Sequence, residues 1–188
     1  MILKGKVFKF GDDINTDGII SGRYKFSITD MKELSRYLFG DIRPNFYKEI
    51  TPGQSVIAGG KNFGMGSSRE QAPWVIKEAG IICVVAMSFA RIFYRNAFNI
   101  GLPLIEADTS KIDEDCTISI DLDKGVIKKI NPVRSKSPQI TAAPKVVTSN
   151  EVNDNVVVRF NPWNTFQKKL ISCGGIINYL KKYKDFNV

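Results

Sequence analysis

Residues 55–60 read Ser55-Val56-Ile57-Ala58-Gly59-Gly60, residues 81–86 read Ile81-Ile82-Cys83-Val84-Val85-Ala86, and residues 101–105 read Gly101-Leu102-Pro103-Leu104-Ile105. Each is a short apolar run next to turn-forming residues, the pattern of a strand buried on both faces. Two helical patterns separate them. The first carries Trp74, Val75, Ile76 and Ala79 and is closed by Gly80. The second follows Ser88, a candidate cap, and carries Phe89, Ile92, Phe93, Ala97 and Phe98. Strands alternating with helices predict an α/β fold whose strands pair in parallel across helical crossovers.

Toward the N-terminus, the alternation Val7-Phe8-Lys9-Phe10 predicts a strand, followed by a polar loop from Gly11 to Gly18. Ile19-Ile20 reads as a second short strand. Thr29 or Asp30 then caps a helix through Met31, Leu34, Leu38 and Phe39, stopped by Gly40. Toward the C-terminus, Thr117 to Leu122 alternates, Asp123-Lys124-Gly125 makes a turn, and Val126-Ile127 begins the return strand of a hairpin. Residues 131–154 are rich in Pro, Ser, Thr and Asn and predict a long surface excursion. Val156 to Phe160 resumes a strand. A helix through Phe166 to Ile171 and a last one through Tyr179-Leu180 flank Gly174-Gly175. With no internal repeat, residues 1–188 read as one domain.

Composition excludes much of the usual catalytic chemistry. The chain has 188 residues, is 43% hydrophobic, and contains no histidine. A Ser-His-Asp triad, a Cys-His pair and a His-ligated zinc are therefore impossible from this chain alone. Its three cysteines, Cys83, Cys116 and Cys173, form no CxxC pair and no cluster-binding motif. Cys83, inside an apolar run, reads as a small core hydrophobe. The net charge of +8 comes from 27 Lys and Arg against 19 Asp and Glu. Those bases are scattered, and the densest group, Lys181-Lys182-Tyr183-Lys184, reads as a solvated chain end. A basic RNA-binding module is the non-enzymatic alternative, although no nucleic-acid signature is present. Positive charge also suits dianionic metabolites or an acidic partner. No run approaches the roughly 18 apolar residues of a membrane span, and Met1 to Lys6 has no apolar signal region, so a soluble, cytoplasmic protein is expected.

One loop carries more than packing needs. Gly64 and Gly66 allow close approach of a ligand to the main chain, and Ser67, Ser68 and Arg69 follow where a helix is expected to begin. A helix N-terminus with an arginine fork beside it suits a carboxylate or phosphate. Ser67-x-x-Glu70 and Ser68-x-x-Gln71 equally match a capping box, which asks for no ligand at all. The loop lacks the lysine of a phosphate-binding loop. Asp17 reads either as the anchor of an Asx turn or as a residue near this loop. Arg91 reads as a packing or charge-pairing residue of its helix.

Gly11 to Asp17 followed by Ile19 to Tyr24, Asn62 to Pro73, Ser88 to Asn96, and Gly101-Leu102-Pro103 occur in an order and spacing that resemble the small subunit of 3-isopropylmalate dehydratase. The likeness covers roughly residues 1–130 and returns at Gly174 to Leu180. It implies a swivelling β/β/α domain like the small domain of aconitase. It further implies a hydro-lyase of leucine biosynthesis that isomerises 2-isopropylmalate and 3-isopropylmalate by dehydration and rehydration. In such enzymes a large subunit holds a [4Fe-4S] cluster, so the resemblance implies no cofactor on this chain. The active form would be a heterodimer or heterotetramer. Ser67 matches the serine that, as an alkoxide, removes the carbon-bound proton, while Ser68 and Arg69 match residues that hold a substrate carboxylate. Asp17 lies near the same site by this analogy. Missing histidine and scattered cysteines then make sense, since the acid and the cluster belong to the partner.

Tyr24-Lys25-Phe26-Ser27 falls at the family's specificity loop. Homoaconitase-like relatives resemble Tyr-Leu-Arg-Thr there, with the arginine pairing an extra carboxylate. Phe26 replaces that arginine, which favours an apolar substituent and disfavours homoaconitate, because an unpaired buried carboxylate is costly. Lys25 could partly substitute for the arginine. Methylmalate and dimethylmalate remain alternatives, and Phe26 could instead be a buried anchor. The segment 131–154 departs from the family's short connection as an insertion, either a surface loop, a contact to the large subunit or a neutral elaboration.

Overall fold

Unbroken apolar runs such as Ser55–Gly59 and Ile81–Ala86 call for a sheet with both faces covered. In the computed structural model, which describes residues 1–130 and 156–184, seven strands form that sheet. They are β1 (Ile2–Lys9), β2 (Ser55–Gly59), β3 (Ile81–Ala86), β4 (Leu104–Glu106), β5 (Thr117–Asp121), β6 (Val126–Ile130) and β7 (Val156–Arg159), in the order β4-β3-β2-β1-β5-β6-β7. β1 to β4 run parallel to one another, and β5, β6 and β7 extend the sheet antiparallel from the other edge of β1. The segment 131–154, expected as a surface insertion, lies outside the described residues.

Helices α1 (Thr16–Ile19), α2 (Gly22–Lys25), α3 (Met31–Leu34) and α4 (Phe46–Glu49) lie between β1 and β2. Helix α5 (Gln71–Glu78) connects β2 to β3, and α6 (Arg91–Ile100) connects β3 to β4. The chain ends in α7 (Thr165–Ser172) and α8 (Ile176–Tyr183) among the described residues. Because side chains alternate across a strand, Phe8, Ile57 and Val84 face one core with Ala72, Val75, Ile76 and Phe93 of the crossover helices. Val7, Val56, Cys83 and Val85 face a second core beneath Leu170, Ile171 and Tyr179. All five residues of β2 are buried, as its unbroken apolar run requires. Each fully buried large apolar side chain contributes about 1.5–3 kcal/mol.

Four local expectations need correction. Ile19-Ile20 is not a strand: Thr16–Ile19 is a helical turn because the Asn15 side chain accepts the Gly18 N–H at 2.6 Å, and both isoleucines drop into the core. The helix expected to run to Phe39 is capped by Asp30 but ends at Leu34. A 3₁₀ turn follows over Ser35–Tyr37, where the Ser35 hydroxyl donates to the Lys32 carbonyl at 2.7 Å in competition with the helix ladder. Ser88 does not cap α6; its hydroxyl accepts the Asn62 N–H at 2.8 Å, and Ala90 occupies the cap with no side-chain bond. Finally, neither Ser67 nor Ser68 caps α5, which begins only at Gln71, so Arg69 precedes the helix. Pro73 explains the delay. An earlier start would put its ring past the first turn, against the carbonyl four residues back and without the N–H that carbonyl needs.

Lys77 of α5 ties the layers together. Its ammonium donates to the Ile100 carbonyl at 2.5 Å and to the Gly174 carbonyl at 3.3 Å, satisfying acceptors at the C-terminal ends of α6 and α7. Replacing Lys77 by Met is expected to lower stability by about 1–3 kcal/mol. Urea unfolding checks this, and an unchanged midpoint would mean that water serves these carbonyls equally well.

Candidate active site

Parallel strands put their carboxyl ends at one edge of the sheet, where ligands bind in open α/β folds. Here the loops leaving β1, β2 and β3 meet at that edge and are laced by main-chain bonds. Gly64 N–H donates to Ile14 O at 2.7 Å and Thr16 N–H to Met65 O at 2.8 Å, joining the first two loops. Phe63 N–H donates to Ser88 O and Ala90 N–H to Phe63 O, each at 2.9 Å, joining the second and third. Gly64 sits at φ +80°, where a Cβ would come within 2.2 Å of the Phe93 ring, so only glycine lets this loop lie against α6.

This lacing presents Ser67 and Arg69 to a common open cavity of about 340 Å³. The Ser67 carbonyl accepts from Thr16 Oγ1 at 3.0 Å and from Arg69 N–H at 2.8 Å, which fixes the residue by its backbone. Its side chain is exposed, and its hydroxyl has no partner among the described residues. Arg69 is held differently. Its side chain is only 14% exposed, forms an ion pair with Asp17, and donates from Nη1 to the Ile20 carbonyl at 3.1 Å. Asp17 is therefore the partner that orients Arg69; the Asx-type bond of this loop comes from Asn15 instead. Ser68 is exposed beside the cavity but does not line it.

The Tyr24-Lys25-Phe26-Ser27 segment forms the end of α2 and the turn after it, outside the cavity lining. It comes close to the site at Gly22, where a Cβ would lie 3.8 Å from both terminal guanidinium nitrogens of Arg69 and from Phe26 Cε2. Phe26 is 86% exposed, which overturns its reading as a buried anchor. Tyr24 stacks on Tyr37 with centroids 4.0 Å apart, and the Ser27 hydroxyl is engaged by the Arg23 and Tyr24 carbonyls. Lys25 is the last residue of α2.

Three polar lining residues escaped the sequence reading: Thr16, Asn96 and Arg91. Arg91, expected to pack or pair along its helix, is exposed and has no ion pair or hydrogen bond among the described residues. No sequence signal marks it, because the Ser88 hydroxyl is taken by the Asn62 N–H through a tertiary contact. That leaves the first turn of α6, with the N–H groups of Arg91, Ile92 and Phe93, uncapped by a side chain at the cavity wall. The positive helix end at this site thus belongs to α6 rather than to α5.

The cysteines do not suit an iron–sulfur cluster. Cys83 is completely buried and burial pushes its thiol pKa far up, while burial also raises that of Cys116. Among the described residues no three His, Cys, Asp or Glu side chains converge as a metal site.

Residues 36–109 match the Aconitase C-terminal domain family. The chain is 40% identical to 3-isopropylmalate dehydratase small subunit 2 of Archaeoglobus fulgidus, over the whole of both chains. It is also 40% identical to the isopropylmalate/citramalate isomerase small subunit of Methanocaldococcus jannaschii, covering 96% of this chain and 95% of that one. Its fold matches the crystal structure of 3-isopropylmalate dehydratase (LeuD) from the same archaeon with a TM-score of 0.79 and 41% identity, over 98% of this chain and 96% of the other. On this identity over its full length, joined to an aconitase-type small-domain fold, the chain belongs to the 3-isopropylmalate dehydratase small-subunit family.

Proposed function

We propose that this chain is the small half of a hydro-lyase that interconverts 2-isopropylmalate and 3-isopropylmalate in leucine biosynthesis, working in the cytoplasm with a cluster-bearing large subunit. The observation that carries the reading is the pairing of an unbonded Ser67 hydroxyl with the Arg69 guanidinium on one open cavity. Arg69, oriented by Asp17, binds one substrate carboxylate through the N–H groups left over from its internal bonds. Ser67, as its alkoxide, takes the proton from the carbon next to the hydroxyl-bearing one. The electron pair of that C–H bond becomes the C=C bond as the hydroxyl leaves as water, and re-addition in the opposite sense completes the isomerisation. The proton for the departing hydroxyl comes from outside this chain, which has no histidine to supply it.

An alkoxide in water is too unstable to serve as a base near neutral pH. It becomes accessible only where cations and N–H dipoles face it in a site closed to solvent. Arg69, Arg91 and the first turn of α6 surround the cavity, and the large subunit closes it. The exposure of Ser67 is consistent with this division of labour and implies that the isolated chain is inactive. Ser68, beside the cavity, is a further proposed carboxylate contact in the assembled site. Phe26, exposed near Arg69, is proposed to meet the substrate's apolar substituent. Turnover of a methyl-substituted malate is the second reading, favoured by the name of the Methanocaldococcus isomerase relative.

Reconstitution with a cluster-bearing large subunit under anaerobic conditions tests the proposal, using substituted malates as substrates. Ser67→Ala is expected to lower kcat by about 10²- to 10⁴-fold with subunit assembly intact. Near-normal turnover would remove Ser67 from the chemistry. Arg69→Lys is expected to raise KM and lower kcat/KM, because an ammonium cannot reproduce the planar fork. Phe26→Arg should shift preference from isopropylmalate toward homoaconitate, and an unchanged kcat/KM ratio for these two substrates would detach this segment from specificity.

A further inference from the structure

We infer that Thr16 is a positioning residue for the reaction, holding Ser67 at the setting from which its oxygen reaches the substrate's carbon-bound proton; the inference rests on the functional reading above. Thr16 is 2% exposed and grips the loop after β2 at two points. Its N–H donates to the Met65 carbonyl at 2.8 Å, and its hydroxyl donates to the Ser67 carbonyl at 3.0 Å. Those carbonyls flank Gly66, which turns the chain at φ +92°. A Cβ on Gly66 would lie 3.6 Å from both Asn15 Cβ and Thr16 Oγ1, so the loop rests directly on this turn. The next residue, Asp17, forms the ion pair with Arg69. Two consecutive residues thus hold the two functional groups separately, Thr16 the serine and Asp17 the arginine. The Asn15 side chain, accepting the Gly18 N–H, fixes the turn that carries both.

The bond to Met65 does not by itself determine where Ser67 sits, because Gly66 intervenes and glycine is conformationally permissive. The second donor to the Ser67 carbonyl is the Arg69 N–H at 2.8 Å, which belongs to the same loop and moves with it. The Thr16 hydroxyl, 51 residues away in sequence, is therefore the bond that ties Ser67 itself to another part of the fold. Proton abstraction from carbon tolerates little misplacement, since a shift of about 1 Å can cost about 10²-fold in rate. Thr16 acts through Ser67: its hydroxyl proton is already spent on the carbonyl, and the serine side chain stays unbonded.

Wild-type, Thr16→Val, Thr16→Ser, Ser67→Ala and Thr16→Val/Ser67→Ala chains are each assembled with the large subunit, and kcat, KM for 3-isopropylmalate and thermal midpoint are measured. Valine keeps the shape of threonine and removes the hydroxyl; Thr16→Ala is carried alongside so that a misfolded valine variant does not end the test. Thr16→Val is expected to lower kcat by about 10- to 100-fold while KM stays within about twofold, because the Arg69–Asp17 pair is untouched. Thr16→Ser, which keeps the hydroxyl, should recover most of kcat. In the Ser67→Ala background, Thr16→Val should lower kcat no further, since the group it holds is gone. Wild-type kcat in Thr16→Val overturns the assignment, whether or not the thermal midpoint falls. A Thr16→Ser chain as slow as Thr16→Val overturns it by giving the effect to packing of the methyl group. An equal further loss in the Ser67→Ala background overturns it by showing that Thr16 acts elsewhere. A wild-type assembly that turns over no substituted malate overturns the functional reading itself, a result distinct from an active wild type matched by Thr16→Val.

Discussion

The close approach of the Gly64 backbone to the Phe93 ring is the constraint on which the site depends. It lets the loop after β2 lie flat against α6 while its other side bonds to the loop after β1 through Ile14, Met65 and Thr16. Three chain segments far apart in sequence thereby become one rigid floor. Ser67 is fixed through its carbonyl, not its side chain, which leaves the hydroxyl available for chemistry. The lacing leaves the Ser67 hydroxyl out of the work of holding the loop, which falls to main-chain bonds and the Thr16 hydroxyl.

Electrostatics then divides the work. The Arg69–Asp17 pair is half-sheltered, with Arg69 nearly covered and Asp17 more than half exposed. Such a pair adds little to stability by itself. Its value lies in aim: a long side chain that would otherwise sample many rotamers is held at the cavity wall before substrate arrives, reducing the ordering cost at binding. The exposed arginine at the start of α6 has no such restraint among the described residues. Under the proposed function, a chain without histidine contributes to proton abstraction through an alcohol faced by cations and N–H groups, with the partner excluding water.

The parallel half of the sheet was legible because Val56 to Ala58 and Ile81 to Ala86 must be buried on both faces, and few arrangements other than a covered parallel sheet allow that. The hairpin was legible from strict alternation and the Asp-Lys-Gly turn. Boundaries governed by one side-chain bond were not. The Ser88 hydroxyl had two possible customers, its own helix and Asn62, and only tertiary structure decides between them. Ser67 and Ser68 matched a capping pattern, but Pro73 forbids the early helix start this needs. Arg91 was misread for a related reason: a helix-start arginine looks like a surface charge until the loop from β2 builds a cavity wall beside it. The grouping of Ser67 and Arg69 was visible from the family resemblance, whereas the pairing of Arg69 with Asp17, far from it in sequence, required the fold.

The central claim is that the Ser67 oxygen is the group that takes the carbon-bound proton. It is tested most directly by following deuterium entry from D₂O into the carbon-bound position of 3-isopropylmalate, using enzyme reconstituted with the Ser67→Ala chain and saturated with substrate. Exchange should fall with the loss of the hydroxyl while substrate binding persists. Exchange at the wild-type rate would contradict the claim and assign the base to another residue.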